Sequence, residues 1–187
     1  MMKFLLVPGY MNCTPGHWSR WLSETYQDFI TVEQDDWAHP VREQWLQRLH
    51  HTITHITEPL FLIGHSCGGA LIAQWAEEYG QETHSAPVLG GILVAPADVE
   101  SATLYPDIKA QSPLPSGKLP LPIHIIASTN DPNTTVERSK EFAQRWGTTL
   151  EFVKDGGHLD TPDGFGQWPY LAHLIEERSG QKLRPHN

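Results

Sequence analysis

Leu60-Phe61-Leu62-Ile63-Gly64-His65-Ser66-Cys67-Gly68-Gly69-Ala70 is the stretch on which the fold turns. Four consecutive apolar residues bounded by glycine suit a strand buried on both faces of a parallel sheet. Beyond the glycines, Ala70-Leu71-Ile72-Ala73-Gln74-Trp75-Ala76-Glu77-Glu78 has helical spacing and good helix formers. Ser66 therefore falls on a sharp strand-to-helix turn. Gly64-x-Ser66-x-Gly68 is the nucleophile-elbow pattern, in which flanking glycines make room for a strained backbone that pushes the serine Oγ outward. The helix that follows aims its free N–H groups and positive dipole end at the place where an oxyanion would form. A glycine-flanked serine can also be a plain turn, but the strand before and the helix after favour a nucleophile.

Working outward, further strand-like runs lie at 3–7, 30–34, 91–95, 123–128 and 150–154. Helical stretches separate most of them: 16–29, one opened by Pro40, the one after Ser66, 134–146, and 169–178 before a polar tail expected to fray. Strand alternating with helix predicts an α/β fold of three layers, α/β/α, with a mostly parallel sheet. Strand C-termini then share one edge, so functional residues are expected just after strands. Residues 1–187 read as one domain. Residues 96–122 break the alternation, being rich in Pro, Ser and Asp with a weak helical hint at 99–104; they are a candidate small cap or pocket wall.

A serine hydroxyl needs a histidine base, itself oriented by a carboxylate. Asp131 follows the fifth strand in Ser128-Thr129-Asn130-Asp131-Pro132, and His158 follows the sixth in Asp155-Gly156-Gly157-His158-Leu159-Asp160. The order Ser66, Asp131, His158 is that of an α/β-hydrolase triad. Taken singly, Asp131 also fits a turn or a cap for the helix near Thr134, and His158 a surface loop. His65 is expected to pack against the loop after the first strand rather than act as base. The oxyanion donors would be the Cys67 N–H and one from that loop, at Tyr10 or Met11. His17 and Trp18 lie under the same face; His17 could line the pocket, whereas Trp18 reads as core.

Bulk properties narrow the class. A formal charge of −9 without a Lys/Arg cluster argues against a nucleic-acid partner. No run reaches the ~18 apolar residues that span a membrane, and the N-terminus reads as a first strand, not a signal peptide. Two cysteines, Cys13 and Cys67, fit a reducing cytoplasm, and reduced thiols are expected rather than a disulfide between them. His50, His51 and His55 read as a solvated helix face, so neither a metal nor another cofactor is expected.

Val7-Pro8-Gly9-Tyr10 with His17-Trp18, Gln34-Asp35-Asp36-Trp37, Gly64-His65-Ser66-Cys67-Gly68, Ser128-Thr129-Asn130-Asp131-Pro132, and Gly157-His158 with Gly164-Phe165-Gly166-Gln167-Trp168-Pro169 resemble the small serine hydrolases of the YdeN/retinoblastoma-binding-protein type. The resemblance spans nearly the whole chain. It implies a minimal α/β-hydrolase fold with six strands ordered 2-1-3-4-5-6, the triad Ser66, Asp131 and His158, and Tyr10 as the second oxyanion donor. Asp160 departs from the family pattern, where Asn is frequent; it would either raise the basicity of His158 or cap the loop to Gly164. The expected activity is acyl-enzyme hydrolysis of a small ester-type substrate, with His17, His65 and, from the segment at 96–122, Leu104 and Tyr105 as the candidate pocket residues. The alternatives are a thioesterase or amidase on the same triad, and a hydrolase-fold protein that binds a protein partner.

Overall fold

The computed structural model describes residues 1–187. Its strands are β1 (Lys3–Val7), β2 (Phe29–Thr31), β3 (Leu60–His65), β4 (Val88–Val94), β5 (Ile123–Ser128) and β6 (Thr149–Val153). They form one sheet in the order β2-β1-β3-β4-β5-β6, every neighbouring pair parallel. The helices are α1 (Trp18–Thr25), α2 (Arg42–Thr54), α3 (Cys67–Tyr79), α4 (Val136–Trp146) and α5 (Pro169–Ser179). No helix is long and apolar enough to cross a membrane.

Alternation along the strands builds two cores, because successive side chains leave a strand on opposite faces. Leu5, Val7, Leu60 and Leu62 pack with α2, α3 and α4, while Phe4, Leu6, Phe61 and Ile63 pack with α1 and α5. The expected three layers follow. Residues 67–76 of α3 are all buried, as their all-round apolarity requires of a central helix.

Several boundaries differ from the sequence reading. Strand β2 ends at Thr31 rather than at residue 34, although the Val32 N–H still reaches the Leu6 carbonyl at 2.9 Å. Helix α1 begins at Trp18 because His17 caps it, and stops at Thr25 because Tyr26 is extended and bridges Pro185. That bridge also overturns the frayed tail: Gln27 N–H donates to the Arg184 carbonyl (2.8 Å) and His186 N–H to that of Thr25 (3.0 Å). Helix α2 starts at Arg42, two residues past Pro40. Strand β4 starts earlier than expected, at Val88, and closes before Ala95, which turns away with φ 46°.

Residues 96–122 contain no helix at 99–104, but a 3-10 helix at Pro106–Gln111. Buried amides pin the segment to α3: Gln111 Nε2 donates to the Cys67 carbonyl (2.8 Å), and Gln74 Nε2 to those of Gln111 (2.6 Å) and Pro113 (2.9 Å). Leu114 and Leu119 enter the core, and Trp146 Nε1 donates to the Pro115 carbonyl at 3.0 Å. Substituting Trp146→Phe keeps most of the packing but strands a buried carbonyl. It should lower unfolding free energy by about 1–3 kcal/mol, read as a reduced urea midpoint at unchanged m-value.

Candidate active site

Ser66 joins β3 to α3 with φ 56° and ψ −121°, a conformation that costs a non-glycine residue about 1–3 kcal/mol and persists only where its surroundings enforce it. Here they do. A Cβ on Gly68 would lie 1.9 Å from the Val7 carbonyl oxygen, and one on Gly64 would lie 2.6 Å from that of Gly68. Only glycines let the first turn of α3 sit directly on the ends of β1 and β3. The Met11 N–H is spent on the Trp37 carbonyl (2.9 Å), which removes it as an oxyanion donor and leaves Tyr10 in that loop. Burial pushes the Cys67 thiol up to about 12, so it stays protonated and inert, and both cysteines are free.

His158 and Asp131, on the loops after β6 and β5, are brought together. The His158 Nδ1 lies 3.0 and 3.1 Å from the two Asp131 carboxylate oxygens. A carboxylate can only accept, so Nδ1 is the donor, and in the neutral ring the lone pair is then on Nε2. The Asp131 side chain is 3% exposed and also accepts the Asn133 N–H at 2.9 Å. Asp131 thus does close its own turn, but the cap of α4 is Thr135, whose side chain accepts the Arg138 N–H. The ring's hydrogen bonds run to Asp131 alone; Ser66 shares its cavity, and a nucleophile–base bond is often formed only once substrate is bound.

The backbone around His158 is fixed from several elements. Asn130 Oδ1 accepts the Gly157 N–H (2.7 Å), Asp163 Oδ2 accepts that of His158 (3.0 Å), and Trp18 Nε1 donates to the Leu159 carbonyl (3.1 Å). Gly157 has φ +60°, and a Cβ there would fall 2.2 Å from Asp163 Oδ1.

His65 and His17 hold a role the sequence reading missed. His17 caps α1 with its ring: Nδ1 accepts the Ser19 N–H at 3.1 Å and lies 2.8 Å from the Ser19 hydroxyl. Its Nε2 must then carry the proton, which it donates to His65 Nδ1 at 3.2 Å. His65 Nε2 in turn donates to the His158 carbonyl at 2.9 Å. Each nitrogen has one assignment compatible with its neighbours, and both rings are neutral in it. Burial agrees, lowering His17 to about 4 and His65 well below the usual histidine value, the nearby imidazoles adding to the effect. The sequence signal was His17 at the start of the first helix, where a ring nitrogen can serve as cap; nothing in the sequence announced its bond to His65.

Asp160 does not lie against the His158 ring. Its carboxylate accepts the Thr161 N–H at 2.7 Å in a reciprocal capping box with Asp163, and stands 3.6 Å from His17 Nε2. The cap reading is the one the geometry supports. His17, His65 and Asp160 offer ligand atoms within 4.8 Å of one another. The Ser19 N–H, however, claims the one lone pair His17 has, so Nε2 presents a proton to that space rather than a ligand. Elsewhere, His51 and His55 lie side by side on an exposed face, their rings tilted by 37° with centroids 4.1 Å apart.

Ser66 and His158 face a cavity of about 380 Å³ whose wall includes Tyr10, His17, His65, Tyr105, Ile108 and Pro132. Leu104 is 58% exposed and outside it, on a bend just before the 3-10 helix. Trp18 is buried, as expected, yet touches the cavity floor. The lining contains Asp160 and Asp163 but no lysine or arginine.

A family model described as serine hydrolase matches residues 4–177. Among solved structures, a protein of Pectobacterium atrosepticum described as a YdeN-like hydrolase is 28% identical. The match covers 96% of this chain and 91% of that one, with a TM-score of 0.83. The ydeN gene product of Bacillus subtilis is 22% identical over 97% of this chain and 100% of its own, with a TM-score of 0.76. The type II thioesterase BorB of the borrelidin biosynthetic cluster is 16% identical, covering 98% and 93% with a TM-score of 0.66, and shares the fold. No curated protein matches the chain.

Keeping the histidine pair neutral has a pH consequence. In the unfolded chain both titrate near 6.5, whereas in the folded protein His17 stays neutral to about 4 and His65 titrates well below 6.5. Their contribution is therefore complete above pH 6.5 and is lost as pH falls from 6.5 toward 4. Tm should drop across that interval, and His17→Asn, which caps α1 without titrating, should flatten the drop. Parallel curves would show that other groups set the acid limb.

Proposed function

The chain belongs to the serine hydrolase family, and from that premise we propose that it cleaves small, ester-type substrates through an acyl-enzyme on Ser66. In this reading Ser66 Oγ attacks the carbonyl carbon while His158 Nε2 takes the hydroxyl proton, and Asp131 holds the ring in the required tautomer. The N–H groups of Tyr10 and Cys67 receive the oxyanion, helped by the N-terminus of α3. Collapse of the tetrahedral adduct expels the alcohol, which takes the proton from His158. Water, deprotonated by the same imidazole, then releases the acid. The observation that supports this most is the His158–Asp131 hydrogen bond, made beside the cavity into which the strained Ser66 opens.

The cavity suits a small acyl group, and no cationic side chain in its wall would hold a carboxylate or phosphate. Neutral short-chain carboxylesters are therefore the substrates proposed. The exposed Tyr105, its ring 5.8 Å from that of Tyr10, forms part of the mouth.

A fluorophosphonate should label one residue, Ser66, and leave Ser66→Ala unlabelled; a folded wild type that resists labelling would contradict the reading. Asp131→Asn should lower kcat by roughly 10³–10⁴-fold, because the ring then loses the acceptor that sets its tautomer. A series of p-nitrophenyl esters of rising chain length, run beside acyl thioesters, should give the highest kcat/KM on the shortest esters. A preference for thioesters would move the chain to the other chemistry.

A further inference from the structure

The geometry points to His65, backed by His17, as a positioning residue that sets the aim of His158 through its backbone, an assignment that rests on His158 being the base. His65 Nε2 donates to the His158 carbonyl at 2.9 Å, and its ring centre lies 4.9 Å from that of His158. The flanking residues make this bond consequential. Gly157 has φ +60° and Leu159 has φ 52°, so no helix or strand holds the His158 peptide units; the peptide after His158 is tied at its N–H to the Gly156 carbonyl (3.1 Å) and at its carbonyl to His65. Rotating the peptide after His158 would swing the ring relative to Ser66. The His65 N–H opposes that rotation from the end of β3, one residue before the nucleophile and three strands away from β6.

Packing alone does not account for two buried histidines here. A phenyl ring would fill the same space without removing a polar ring from water, which costs free energy unless every nitrogen is satisfied. All four nitrogens of the pair are satisfied, in one direction: from the Ser19 N–H through His17 and His65 to the His158 carbonyl. The helix cap at the start of α1 thereby fixes which nitrogen of His65 bears the proton, and so guarantees a donor toward His158. A reversed tautomer of His65 would turn a lone pair on that carbonyl.

The test compares the wild type with His65→Phe, His65→Gln and His17→Asn on a p-nitrophenyl ester and by the rate of fluorophosphonate labelling. The phenyl variant fills the space without the donor; glutamine restores an N–H. Asparagine keeps the α1 cap but is too short to reach His65. With positioning, His65→Phe lowers kcat on the order of 10- to 100-fold, as a small misplacement of a catalytic group does. KM then moves much less than kcat, because the phenyl ring fills the space the imidazole leaves in the cavity wall. His65→Gln recovers most of the loss, and His17→Asn loses less than His65→Phe. Labelling of His65→Phe at the wild-type rate, or kcat and Tm falling together without rescue by glutamine, would overturn the assignment while leaving Ser66 as the nucleophile. A wild type that is folded but never labelled would overturn the hydrolase reading, and this assignment with it.

Discussion

The close approach of α3 to the ends of β1 and β3 is the constraint on which the site depends. The helix can start where it does only because residue 68 lacks a side chain, the Val7 carbonyl occupying the space a Cβ would need. With that contact made, Ser66 takes a positive φ and lines the cavity. The same contact brings the loop after β1 beside the first turn of α3, where a Cβ on Gly9 would lie 3.1 Å from the Cys67 nitrogen. Steric exclusion, not a hydrogen bond, sets up the turn that carries the proposed nucleophile.

The other half of the site, around His158 as the proposed base, is built differently. Its residues sit on loops, and what rigid structure they have comes from hydrogen bonds reaching in from elsewhere. Asp163, Asn130, Trp18 and His65 each hold one backbone group near His158. None of these bonds is local in the sense of regular secondary structure; together they substitute for it. Long-range ties of this kind place functional loops on a rigid scaffold without making the scaffold itself irregular.

This difference explains what was legible in the sequence. The layered fold, the strand order and the meeting of Asp131 with His158 follow from periodic runs, a resemblance spanning the chain, and the habit of α/β sheets to gather loops at one edge. The elbow was legible because its glycines are a local signature. The course of residues 96–122 was not, because buried amides of Gln74 and Gln111 organise it, and a glutamine in a sequence gives no hint of burial. The C-terminal tail looked frayed by composition, yet it docks beside Tyr26 through backbone bonds that no side chain announces. His65 was the instructive case. Its neighbourhood to Ser66 was plain, but its work depends on a histidine 48 positions earlier and a carbonyl 93 positions later.

A crystal structure of the protein carrying a covalent phosphonate on Ser66 addresses the central claim most directly. Here the phosphoryl oxygen should lie about 2.7–3.1 Å from both the Tyr10 and Cys67 nitrogens, with His158 Nε2 within hydrogen-bond reach of the Ser66 oxygen. A phosphoryl oxygen directed away from those amides, or an imidazole that remains remote from the adduct, would contradict the account.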